Sequence, residues 1–144
     1  MAITQAIANS FKKQLLDGDH DFTASSGDVF KIALYTSSAT LNSATTSFTT
    51  GNEVANSGQY TSGGGKLVNL ATSITAGVAR VDFSDRSFTN VTITARGALI
   101  YNTSFSNAAV CVLDFGADKT ATSGVFTIQF PANTSTAAIL RISG

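Results

Sequence analysis

The densest run of metal-ligating side chains in this sequence is Asp17-Gly18-Asp19-His20-Asp21, with Asp28 seven residues further on. Asp17, Asp19, Asp21 and Asp28 would occupy positions one, three, five and twelve of a calcium-binding loop. Position six, which requires glycine for a sharp turn, is instead Phe22, and position twelve is Asp rather than a bidentate Glu. A solvated helix exit and turn explains the cluster better. Gly63-Gly64-Gly65-Lys66 invites comparison with a phosphate-binding loop, but Tyr60 stands where its first glycine belongs and Leu67 where Ser or Thr would follow the lysine. A flexible turn into a strand is the reading these residues support. His20, the one histidine, has no serine motif around it, and the single cysteine, Cys111, lies in an apolar strand where a buried, inert thiol is expected. Asp82, Asp85, Asp114 and Asp118 could pair as glycosidase carboxylates, but aspartate is common at strand ends. No set of nucleophile, base and oxyanion donors emerges, so the expectation is a chain that is not an enzyme and needs no cofactor or metal.

Composition narrows the partners. The formal net charge is +0 across 144 residues, which gives no basic face for nucleic acid or for an anionic membrane surface. No apolar run approaches the roughly 20 residues of a membrane-spanning helix. The N-terminus carries no basic region ahead of an apolar core, so synthesis in a cytoplasm without a secretory signal is expected. With one cysteine, no internal disulfide can form.

The elements that must hold such a chain together follow from side-chain period. Ile3, Ile7, Phe11 and Leu15 recur every four residues, which predicts a helix over Ile3–Leu16 stopped by Gly18, within an N-terminal arm at 1–18. Asp28–Thr36 alternates, with Phe30, Ile32 and Leu34 on a core face and Val29, Lys31, Ala33 and Tyr35 on a mixed one. The segment 37–65 is a long polar loop whose isolated apolar anchors are Leu41, Phe48, Val54 and Tyr60. Loops of that length are usually functional or ordered by a partner. Strands are predicted at Lys66–Ile74, Val78–Ser84, Ser87–Ala95, Ala98–Asn102, Ala108–Phe115, Gly124–Phe130 and Ala137–Ile142, with Lys66 and Arg80 on the surface. The expectation is one all-β domain over residues 1–144 with an N-terminal helix: an antiparallel, jelly-roll-like β-sandwich of about eight strands.

Three stretches carry a resemblance: Ile7-Ala8-Asn9-Ser10-Phe11-Lys12 with Gln14-Leu15-Leu16-Asp17-Gly18; Phe30 to Leu41; and Thr94 to Asn102 followed by Ala109 to Gly116. Together they resemble small proteins encoded among the virion genes of tailed bacteriophages and prophages. The resemblance implies a structural role, with a capsid cement (decoration) protein as first choice. It would sit on the outer capsid surface of the virion, joining neighbouring major capsid proteins, and self-associate as a dimer or trimer. A tail, neck or receptor-binding module that recognises a host-surface glycan or a fibre is the alternative. On either reading the residues expected to meet partners are Ile3, Ile7, Phe11 and Leu15 of the arm and Leu41, Phe48, Val54 and Tyr60 of the loop.

Overall fold

The computed structural model describes residues 2–134 and 136–143. In chain order its elements are β1 (Ala6–Ile7), α1 (Asn9–Leu16), β2 (Phe30–Tyr35), β3 (Gly65–Lys66), β4 (Ser73–Thr75), β5 (Val78–Val81), β6 (Arg86–Asn102), β7 (Ala108–Ile128) and β8 (Leu140–Ile142). The strands form two antiparallel sheets, one ordered β1-β7-β6-β2-β3 and the other β4-β5-β8. The expected all-β architecture with one helix is therefore present, divided five strands and three.

The hairpin of β6 and β7 is the spine. Residues 103–107 connect the two strands, and at the end of this connection Ser106 and Asn107 both take positive φ while the Ala108 N–H bonds the Phe105 carbonyl at 2.9 Å. Positive φ at both central residues is the primed type of turn. The sequence divides each of these strands in two, with Arg96-Gly97 and Gly116-Ala117-Asp118 marking turns or bulges between them. In the structure both pairs run on continuously through a wide bulge: Ala95 opposes Lys119 and Gly97 opposes Asp114, so residues 115–118 have only Arg96 across from them. Gly116 takes φ +80°, and Arg96 Nε closes the bulge on Asp118 Oδ1 at 2.9 Å. The glycines mark a bulge rather than a chain reversal because pairing resumes in the same direction on either side.

β2 lies beside β6 in unbroken register from Phe30↔Asn102 to Tyr35↔Gly97. Both its faces are covered from Ile32 to Tyr35, with Ala33 and Tyr35 as buried as Phe30, Ile32 and Leu34, while Lys31 at its start is half-buried. On the Phe30 face a chain of aromatic rings runs Phe11–Phe22–Phe30–Phe83–Phe130 and carries the small sheet and α1. On the Tyr35 face the segment 37–65 folds back, with Phe48 stacked on Tyr101 at 4.7 Å.

Two expectations about local structure are corrected. The helix does not begin at Ile3. Ala2–Ala8 is extended: Ile3 bridges Leu41, β1 pairs Val112 and Cys111, and the Ala8 N–H reaches the Val110 carbonyl. An eight-residue helix is marginal alone, and Leu41 together with the edge of β7 offers partners to the amides of this N-terminal segment. Gly18 does end α1, at φ +80°. Arg80, expected outward, is buried, with Nε on Asn133 Oδ1 at 2.9 Å and a terminal nitrogen on Ser73 Oγ at 2.8 Å, whereas Lys66 is exposed as expected.

Candidate partner-docking surface

His20 and the carboxylates of Asp17, Asp21 and Asp28 are occupied structurally. His20 is buried among Phe11, Phe30 and Phe105. Its Nδ1 accepts from the Asn102 amide at 2.9 Å, which leaves Nε2–H to donate to Gln14 Oε1 at 2.9 Å. Burial pushes the imidazole below its ordinary pKa, with Asp28 and Asp19 acting weakly against it. The Asn102 amide also donates to Asp28 Oδ2 at 2.7 Å, and that oxygen accepts from the Asp21 N–H as well. Asp21 binds the Thr23 hydroxyl and N–H, which holds its carboxyl below the usual range, and Asp17 pairs with Lys13 at 2.6 Å. The acidic cluster thus ties α1 to the hairpin, and among the described residues no group of three or more metal-ligating side chains is placed to hold an ion. Cys111 is buried, and its thiol is pushed up to about 12 by loss of solvation. In the triple glycine, Gly64 takes φ +82° with the Ile32 carbonyl oxygen 1.8 Å from where a Cβ would stand, so this turn exists for close approach to β2.

The expected loop anchors also face inward. All three tyrosines hold the segment 37–65. Tyr35 donates to the Thr49 carbonyl at 2.6 Å and Tyr101 to the Gly63 carbonyl at 2.5 Å. The Tyr60 hydroxyl accepts from the Leu34 N–H at 2.8 Å and donates to Glu53 at 2.8 Å. Glu53 also takes the Gly63 N–H and the Ser62 hydroxyl, each within 2.8 Å. Tyr60 and Tyr35 are each pushed up by burial. Leu41, Val54 and Tyr60 are core residues and Phe48 packs on it, so these four are corrected from partner contacts to anchors of the chain's own fold. The sequence shows that such a loop needs ordering; it does not show that three distant hydroxyls provide it.

The arm residues divide differently. Ile3 is buried over Gly97 and corrected in the same way. Ile7, Phe11 and Leu15 come together in the floor of a groove of about 770 Å³ between α1 and the small sheet. Its upper wall is a row across three strands: Ile74 opposes Ala79, and Ala79 opposes Ile142. The next row on that face, Val81 with Leu140, is covered by the core. The apolar face of the small sheet therefore runs past the end of its covering. Ile74 is 71 % exposed, Ile142 59 % and Leu16, on the opposite wall, 89 %. Of these only Leu16 stands out in the sequence, as a second leucine on a stripe that Leu15 already fills. Ile74 and Ile142 alternate like core residues, and nothing local reveals that the sheet overhangs. A second groove of about 700 Å³, between β1 and the far half of β7, carries both Asp114 and Lys119 on its walls.

Comparison with known protein families, curated proteins and solved structures finds no match to this chain.

Proposed function

We propose that this chain is a bacteriophage capsid cement protein that binds the outer capsid lattice and joins neighbouring major capsid proteins. The observation that supports this reading is the overhanging apolar groove beside α1. Leu16, Ile74 and Ile142 leave contiguous hydrocarbon in water, and such a patch on a small domain marks a contact surface. The interior supports it too. A lattice clamp needs a scaffold whose loops do not move, and the segment 37–65 is held at Thr49, Glu53 and Gly63 by buried hydroxyls. The resemblance in the arm, in β2 and in the hairpin supplies the virion context.

The rival placement, a tail or receptor-binding module, would in its glycan-recognising form offer aromatic faces on which sugars stack. All ten phenylalanines are instead in ring–ring contact within the chain, and no Phe or Tyr is among the exposed large side chains. Copy number separates the two. Quantitative mass spectrometry of purified virions is expected to find the chain in hundreds of copies, in fixed ratio to the major capsid protein. A few copies to a few tens per particle would overturn the cement assignment in favour of the tail or neck.

A further inference from the structure

We infer that Lys31 and Lys66 form a docking point for a carboxylate-rich segment of a protein partner, a surface separate from the groove beside α1. The two residues oppose each other directly across β2 and β3. The neighbouring pair, Phe30 with Leu67, exchanges the ladder bond, from the Leu67 N–H to the Phe30 carbonyl at 2.8 Å. Pairs alternate between bonded and non-bonded along an antiparallel ladder, so Lys31 and Lys66 are a non-bonded pair, the type whose side chains stand closest. Like charges placed so are unfavourable. Three other cations are paired: Lys13 with Asp17, Arg96 with Asp118, and Arg80 with Asn133 and Ser73. Among the described residues no acceptor bonds the ammonium of Lys31 or Lys66, and neither is in an ion pair. The acidic residue of the adjoining loop, Glu53, is taken up by Tyr60, Ser62 and Gly63.

The surroundings select the occupant. Tyr101, beside Lys31 on the same face, holds the Gly63 carbonyl, so the turn entering β3 is fixed. Leu67 turns into the core, and Val68, next along, is 58 % exposed. Two ammonium groups next to an exposed valine suit a segment that presents carboxylates beside an apolar side chain. Nucleic acid would need a broader basic stripe than two lysines on a chain of zero net charge.

The inference rests on the reading that this chain works by binding proteins, but not on where in the virion it does so. The test uses the intact chain and two fluorescent decapeptides, one alternating Glu with Val and one alternating Gln with Val, with a 20-base-pair DNA duplex as third probe. Anisotropy is expected to show saturable binding of the Glu peptide, weakened by salt and by about tenfold or more in a Lys31→Gln/Lys66→Gln double variant. The Gln peptide and the duplex are expected not to bind. Absence of Glu-peptide binding, equal binding by the double variant, or tighter binding of the duplex would each overturn the inference. So would a lowered unfolding midpoint of Lys66→Gln in the free chain, since relief of repulsion requires a rise. Virions that contain the chain at full copy number while the Glu peptide fails to bind would overturn this inference alone and leave the cement assignment standing.

Discussion

Individual hydroxyls and one imidazole decide how this chain is held. Replacing Tyr60 by Phe keeps the ring against Phe88 but removes the acceptor for the buried Leu34 N–H and the donor to Glu53. An orphaned buried donor costs about 1–3 kcal/mol, so Tyr60→Phe is expected to lower stability by that amount in urea unfolding, with an unchanged slope. His20 makes a pH-dependent contribution. Its folded pKa lies below the ordinary 6.5 because burial disfavours the cation. Above that value the ring is neutral in both states and the contribution is complete. As pH falls below it, the unfolded chain takes up the proton first, and stability declines until the folded pKa is passed. Protonation would also set Nδ1–H against the Asn102 amide donor. Urea midpoints are expected to fall between pH 7.5 and pH 5, a window above the range of Asp21, and to be flatter across it in His20→Gln.

At the scale of elements, alternation made the strands legible and helical spacing misled. Ile3, Ile7, Phe11 and Leu15 satisfy a four-residue spacing, yet only Phe11 and Leu15 lie in α1. Ile3 is buried and Ile7 half-buried from extended chain, because Leu41 and the open edge of β7 compete for the amides of this segment, and one sequence carries no record of either partner. The hairpin bulge was marked by Arg96-Gly97 and Gly116, but a glycine does not say whether the partner strand resumes. The arm is consequently part of the fold and not a detachable clamp. Removing residues 2–18 is expected to abolish cooperative unfolding, whereas a sequence reading alone expects a folded β domain to remain. Phe11→Ala is expected to cost about 3–5 kcal/mol as a large-to-small core change, and Leu16→Ala, on the exposed side of the same helix, about 0.5 kcal/mol or less. Chemical denaturation of the three variants side by side checks all of this.

The whole molecule separates a scaffold from a surface. The scaffold was readable in outline: Phe30, Ile32 and Leu34 are in the core, Cys111 is a buried thiol, and the strands form antiparallel sheets. The candidate surface was half readable. Ile7, Phe11 and Leu15 stand out in the sequence of the arm, but the row Ile74–Ala79–Ile142 depends on three strands in register and on where their covering stops. The length of the segment 37–65 implies ordering by a partner, whereas in the structure Tyr60 and Val54 are buried within the chain's own core. The proposed contact function rests on the rim of the groove, where Leu16, Ile74 and Ile142 remain in water. Leu16→Asp and Ile74→Asp place a charge there without touching the core. Incorporation of these two variants into virions, measured against a wild-type chain of matched thermal midpoint, tests that assignment most directly. Particles that assemble without the variant proteins are the expected result; incorporation of both at wild-type copy number would contradict it.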